Sequence, residues 1–405
     1  MRALLEESFR AAVAAADPLQ IVARHLPQPP KGRIFVAAAG KAAAAMALAV
    51  ETHWNHPVDG IAITRYGHGL PTQKIRVVEA GHPVPDEAGQ DAAKEMLARV
   101  RRLGPDDLLL ALLSGGGSSL LAMPAEGVSM AQLKSLTAQL LTSGATIQEM
   151  NTVRKHLSAI AGGRLAAASR APVLALIISD VTGDDPTHIA SGPCAPDPTT
   201  VQDAKAILDR YGVRFAGRFS ESPKPGYPAF ARVENRVIAT AHRSLEAAAS
   251  VFEKRGIRPV ILGDTITGEA SEVAKTLAGL VREIQKHRAP FEPPVALISG
   301  GECTVTLRAE GGRGGRCAEF LLSLALEVEG VWAVAADTDG IDGSEDNAGA
   351  LLTPQTAERA RKRDLDPSQF LARHDSYGFF SALGDLMMTG PTRTNVNDYR
   401  AILVL

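Results

Sequence analysis

Short, nearly uninterrupted apolar runs recur along this chain, separated by Ala-rich stretches whose apolar positions fall three and four apart. The runs are RIFVAAAG, GIAITR, IRVVEAG, DLLLALLSGGG and VLALIISD in the first half, then RVIATAH, RPVILGD, PVALISGG and VWAVAAD in the second. A strand that is apolar on both sides must be covered on both sides. The pattern therefore predicts parallel strands clothed by helices, and an α/β fold class.

Two helices announce themselves. In MRALLEESFRAAVAAADPLQ, Leu4, Leu5, Phe9, Ala12, Val13 and Ala16 recur at helical spacing among early acids, which is an amphipathic helix and not a signal peptide. Thr146 with Glu149 forms a capping box, and Ile147, Met150, Val153, Leu157 and Ile160 carry the periodicity to Gly162 and Gly163. The other face of that helix bears Asn151, Arg154, Lys155 and Ser158, read first as a solvated stripe. Between Arg218 and Phe230 the stretch RFSESPKPGYPAF has neither period and reads as an interdomain linker. The domains expected are thus 1–217 and 233–405, joined by 218–232.

Bulk properties narrow the classes. A chain of 405 residues is long for one core, consistent with two domains. Lys+Arg 43 against Asp+Glu 45 leaves no basic excess for a nonspecific nucleic-acid binder, so small, locally charged ligands fit better. The longest apolar stretch near the N-terminus, Ala42 to Val50, is far short of the roughly 20 residues of a membrane span. Cys194, Cys303 and Cys317 are widely separated, which argues against a zinc site or disulfide framework and for a cytoplasmic setting.

Chemistry concentrates where the apolar runs stop, the edge at which α/β sheets build ligand sites. Gly40 and Lys41 end the first run. Ser114, Gly115, Gly116, Gly117, Ser118 and Ser119 end the fourth, where absent Cβ atoms let backbone amides approach an oxyanion and the serines add donors. SDVTGDD supplies Asp180, Asp184 and Asp185, with Thr182, Thr187 and Ser191 nearby, as metal ligands, a base or simple turn formers. Gly300, Gly301 and Glu302 close another run. DTDGIDG offers Asp337, Asp339 and Asp342, but Ile341 and Asp342 break the calcium-loop spacing. In RAEGGRGGRC, Arg313 and Arg316 carry planar forks suited to a carboxylate or phosphoryl group on an arch read otherwise as a mobile loop. No Walker pattern surrounds Lys41, and no G-x-G-x-x-G follows any strand.

Taken in order, the GK at 40, SGGGSS, NTVRKHLSAIAGGRLA, ISDVTGDDPTHIASGP, ISGGECTV, GGRGGR, DTDGIDG and GPTRTNVND resemble the MOFRL-type (class III) glycerate 2-kinases. The resemblance implies transfer of the ATP γ-phosphoryl group to the C2 hydroxyl of D-glycerate, with Mg²⁺ or another divalent cation. It implies two α/β domains, the first Rossmann-like with a mostly parallel sheet, the second a smaller MOFRL-type domain, with the active site in the cleft between them. The essential lysine and arginine of the family correspond to Lys41 and Arg316. Two departures stand out: Cys317 and Ala318 replace an Asn-Gln pair after GGR, and Arg393 replaces a glycine.

The combined expectation has Lys41, Arg316 and Asp180 as catalytic groups. The substrate or a phosphate would sit on Ser114 to Ser119 with Arg154, Asp184 and Ser191, and the nucleotide on Gly300, Gly301, Glu302 and Asp339. Asp180 and Asp185 would hold the metal. Partners would be D-glycerate and ATP, not nucleic acid or membrane, and the protein would be a monomer or homodimer. Competing readings are an NAD(P)H-dependent hydroxypyruvate reductase, disfavoured by the missing dinucleotide fingerprint, and a noncatalytic nucleotide or sugar-acid sensor.

Overall fold

The computed structural model describes residues 1–307 and 312–405 and divides into two compact units, Pro18–Ile238 and Met1–Asp17 with Ala239–Leu405. In the first, strands β1 (Ile34–Ala39), β2 (Val58–Arg65), β3 (Ile75–Ala80), β4 (Leu108–Leu113), β5 (Val173–Ile178) and β6 (Val233–Ala239) form one sheet in the order β3-β2-β1-β4-β5-β6. β1 runs parallel to β2 and β4, with Ile34 opposite both Val58 and Leu108, and β2–β3 and β4–β5 are parallel too. Every residue of β1, β4 and β5 is buried, as doubly covered strands require. On one face Phe35, Ala37, Leu109 and Ala111 pack with Met96, Leu97 and Val100 of the helix Glu87–Val100.

The strand order reverses direction between β1 and β4. At such a switch point the loops leaving adjacent strands diverge to opposite faces and open a crevice at the carboxyl edge. Gly40–Lys41 and Ser114–Ser119 leave those two strands.

The second unit holds β7 (Arg258–Gly263), β8 (Gly268–Glu269), β9 (Val295–Gly301), β10 (Cys303–Thr304), β11 (Trp332–Asp337), β12 (Gly349–Leu352), β13 (Leu386–Met387) and β14 (Asp398–Val404). Its main sheet, β13-β12-β11-β14-β9-β7, is mixed: β7 and β9 are parallel, whereas β14 is antiparallel to both β9 and β11. The all-parallel expectation therefore fails in this half. The final seven residues of strand come back into the middle of the sheet, a pairing that apolar content alone does not reveal.

The division of the chain also differs from the linker reading. The N-terminal helix, Arg2–Ala15, forms as its periodicity predicts, but Leu4, Leu5, Phe9 and Ala12 pack with Leu245, Phe252, Val334 and Tyr399 of the second unit. The Tyr399 hydroxyl donates to Ser8 Oγ at 2.8 Å. Residues 218–232 are not a linker: Ser222 Oγ donates to Asp197 Oδ2 at 2.8 Å, and Phe230 packs on the core of the first unit before β6 joins its sheet. Proline and glycine mark irregular backbone, which serves equally well for a strap fastened by side chains.

The Thr146 capping box is present, but the helix runs only Ile147–Lys155. Its polar face is not solvated. Asn151, Lys155 and Ser158 are buried and Arg154 is half-buried. Lys155 Nζ donates to Asp197 Oδ1 at 2.9 Å, with both side chains almost fully enclosed.

Candidate functional site

In the first unit, backbone geometry fixes the two switch-point loops against each other. Gly40 has φ 128°, and a Cβ there would meet Ser114 Oγ at 2.2 Å. Lys41 N–H donates to Gly115 O at 2.8 Å and Ala42 N–H to Ser114 Oγ at 3.0 Å. Ser114 is thus a buried clasp, and Ser119 Oγ is turned back to Gly116 O at 3.1 Å. Gly116 is left-handed at φ 79°, and a Cβ on Gly117 would stand 2.5 Å from that of Ala190. The glycines permit this close approach, and only glycine fits both positions.

The close approach sets a polar chain along a pocket wall. Ser118 Oγ and Ser191 Oγ lie 2.8 Å apart, Ser191 donates to Asn151 Oδ1 at 3.3 Å, and Arg154 Nη1 reaches that same oxygen at 3.5 Å. Apolar side chains including Leu121, Met123, Leu133 and Ile160 line the rest of the pocket. Ala190, Ser191 and Gly192 are all left-handed, at φ 52°, 59° and 60°, and Gly162 and Gly163 N–H groups hold this turn through Ser191 O and Gly192 O. Backbone held in so sparse a region is found where a site over-determines it.

Arg154 is the unusual member. Among the described residues it faces no carboxylate within ion-pair distance, and burial pushes its guanidinium below its ordinary pKa. A half-buried cation whose one side-chain hydrogen bond among the described residues is a long one to an amide is short of an anion.

A second group sits at the glycine loop. A Cβ on Gly116 would stand 2.9 Å from His82 Nε2 and 3.3 Å from Lys41 Cγ, so both side chains occupy the space a larger residue would fill. Burial first, then Lys41, Arg65 and His68, push His82 down to about 4. Lys41 and Arg65 thus set positive charge around the ring. Sequence reasoning passed over His82, although it follows β3 by two residues, the same strand-end position that singled out Lys41, and it noted Asn151 only as part of a polar helix face.

Other expected groups divide. Asp180 follows β5, beside β4 at the same sheet edge, and is half-buried. Asp184 has φ 54° in the following turn. Asp185 is exposed and its Oδ1 accepts from Thr187 N–H at 2.8 Å, a turn-forming use. Among the described residues no three His, Cys, Asp or Glu side chains gather to hold a metal.

In the second unit, Arg316 opens the helix Arg316–Glu327 inside a carboxylate cage. Its Nε donates to Asp398 Oδ1 and its Nη2 to Asp337 Oδ2, each at 2.7 Å, while Nη1 faces the exposed Glu302 at 3.4 Å. Burial opposes its charge, but Asp398, Asp337 and Glu302 prevail and hold its pKa well above the ordinary value. Gly301, at φ 111°, lets β9 pass close to Ile266, where a Cβ would lie 2.2 Å from the carbonyl oxygen. Asp339 is buried in the turn after β11, its Oδ1 accepting from Ile341 N–H at 2.9 Å, and Gly300 O accepts from Arg400 Nη2 at 2.8 Å.

Asp342 caps the Arg316 helix from a distance, accepting from Cys317 N–H at 3.0 Å and Ala318 N–H at 2.8 Å. Burial raises its carboxyl to about 7. Cys317 and Ala318 contribute only those amides; their side chains are in the core. Arg313 is engaged locally: its guanidinium stacks 4.1 Å from the Tyr377 ring centroid and pairs with Glu345. The preceding residues 308–311 of that quoted segment lie outside the described residues. Arg393, where the family pattern has glycine, adopts φ 60°, the conformation glycine favours.

Comparisons with known proteins fit this geometry. Residues 4–220 match the family described as Domain of unknown function (DUF4147), and residues 295–398 match the MOFRL family. A Pyrococcus horikoshii protein named glycerate 2-kinase is 42% identical, over 91% of this chain and 86% of its own. The D-glycerate 2-kinase of Thermotoga maritima is 38% identical over 98% and 97%. An Agrobacterium vitis protein named only provisionally, as a hydroxypyruvate reductase, is 50% identical over 100% and 94%. The crystal structure of a Thermotoga maritima glycerate kinase superposes with a TM-score of 0.89 at 37% identity, covering 99% of each chain.

Proposed function

The chain belongs to the MOFRL-type glycerate 2-kinase family, and from that premise we propose that it transfers the γ-phosphoryl group of ATP to the C2 hydroxyl of D-glycerate, giving 2-phosphoglycerate. The observation that carries the acceptor's chemistry is Arg154, a half-buried guanidinium beside the Ser118–Ser191 pair that faces no carboxylate among the described residues. A small hydroxy acid supplies the missing anion through its carboxylate, in a charge-assisted hydrogen bond. Apolar walls at Leu121, Met123, Leu133 and Ile160 limit the acceptor's size.

Phosphoryl transfer needs alignment and charge neutralisation more than covalent chemistry. Lys41 is assigned to the moving phosphoryl group, with the Gly115–Gly117 backbone cradling an oxyanion. Arg316 is the second cation, acting through Nη1, whose partner Glu302 is exposed and displaceable; Nε and Nη2 are committed to Asp398 and Asp337. Gly300, Gly301, Glu302 and Asp339 are assigned to the nucleotide side, and Asp184 to shaping the acceptor loop.

A divalent cation fits in a limited way. With no three ligating side chains gathered among the described residues, the donor set suits an ion carried on substrate phosphates and touched by one carboxylate, for which Asp180 is the candidate. Such an ion neutralises phosphate charge. Asp185, whose Oδ1 is engaged by Thr187, is the weaker ligand.

The test is incubation with ATP, Mg²⁺ and D-glycerate and identification of the product by phosphorus NMR. Formation of 2-phosphoglycerate is expected. NADH oxidation with hydroxypyruvate and no phosphoglycerate would establish the reductase reading instead, and ATP binding with no phosphorylated hydroxy acid the noncatalytic one.

A further inference from the structure

We propose that His82 is a catalytic residue of this reaction: with the acceptor seated at the Gly115–Ser119 loop, its Nε2 takes the proton of the attacking hydroxyl. The assignment rests on the kinase reading above and adds the proton acceptor that reading leaves open.

Placement comes first. Residue 82 directly precedes Pro83 which, with Pro85, lines the same pocket as Ser118, Ser119 and Arg154. Its ring lies against Gly116 on the side where the Lys41 stem also passes. The imidazole is half-buried and makes no hydrogen bond to another described residue, so its nitrogens are not spent on the fold. Histidines that serve structure alone are generally pinned by a partner, as His156 is here, with Nδ1 2.8 Å from Thr152 O.

Electrostatics then give the ring its state. The charged and titratable groups acting on His82 are Lys41 after β1, Arg65 at the end of β2 and His68 after it, all of them cationic or able to become so. Together with burial they keep the imidazole neutral near pH 7, with a lone pair to offer. Triphosphate arriving at Lys41 offsets those cations and raises the ring's proton affinity just when a proton must be taken. In a loose phosphoryl-transfer transition state the hydroxyl proton leaves late, so a modest base suffices.

The step balances as follows. The hydroxyl oxygen forms a bond to the γ-phosphorus of ATP while the bond from that phosphorus to the bridging oxygen breaks, and that electron pair leaves with ADP. The hydroxyl proton passes to His82 Nε2, and the imidazolium then returns it to solvent. Asp180 is left to the cation, for which a carboxylate oxygen is the better ligand.

The experiment compares wild type with His82→Gln and His82→Ala, each checked for an unchanged melting temperature, with His82→Asn made if either fails to fold. Expected are a kcat lower by roughly a hundredfold, KM values within about threefold for both substrates, and loss of the acid limb of the kcat–pH profile. Added imidazole should restore at least about tenfold of the His82→Ala rate, which a purely structural role would not allow. An active wild type with His82→Gln turning over within threefold, on an unaltered pH profile, overturns the assignment and leaves the kinase standing. A wild type that makes no phosphoglycerate overturns the kinase reading, and the His82 assignment falls with it.

Discussion

Arg154→Met separates substrate binding from folding at one position. In the native protein this guanidinium has one long contact, 3.5 Å to Asn151 Oδ1, and no carboxylate within ion-pair distance among the described residues. Deleting it strands no buried anion, and it removes a cation whose burial already works against its charge. Methionine keeps the length and helix propensity of the site and suits its apolar neighbours Leu121, Met123 and Leu133. The melting temperature should therefore stay level or rise by a few degrees. The ligand loses a charge-assisted hydrogen bond worth about 1.5–3 kcal/mol, and at about 1.4 kcal/mol per decade that is roughly a 10- to 150-fold rise in KM for D-glycerate. Because the carboxylate is held alike in ground and transition states, kcat should change little. Steady-state kinetics with varied D-glycerate, alongside a thermal melt, reads both effects. A KM within twofold of wild type together with a lowered melting temperature would show that Arg154 serves the fold, and would remove the acceptor site from this pocket.

Lys41→Ala should fold and lose about a hundredfold to a thousandfold in kcat, the usual cost of removing one preorganised charge; near-normal turnover would exclude it from the mechanism. Arg316→Ala should lose as much activity but also stability, since Asp337 and Asp398 would remain buried without their cation; a variant as stable as wild type would contradict the cage. Asp197→Asn leaves Lys155 charged and enclosed and should cost about 3–5 kcal/mol, read as a large drop in melting temperature. Burial opposes the Asp197 charge, but Lys155 and three hydrogen bonds from Thr199 and Ser222 outweigh it and hold its pKa at about 2. The carboxylate's contribution is thus present above its ordinary value near 4 and is lost as pH falls toward 2. A melting curve for Asp197→Asn with the same acid dependence as wild type would refute that assignment.

Local information was enough for the elements. Nine strands were legible as apolar runs, most clearly β1, β4, β5 and β9, whose residues are all buried because both faces of a covered strand must be apolar, and Thr146 with Glu149 marked a helix start because capping spans only four residues. The strand-end clusters were legible for the same local reason, since glycines and polar groups cannot extend a buried strand. What sequence could not supply was partnership across long separations. Leu4, Leu5 and Phe9 demanded an apolar surface without specifying which sheet would provide it. β14 enters the middle of its sheet at the very end of the chain, and joining distant segments adds little to the entropy of closing a loop. Asn151, Arg154 and Lys155 look alike as a polar stripe. Only tertiary packing enclosed Lys155 with Asp197, set Arg154 on a pocket wall beside Asn151, and brought His82 against Gly116.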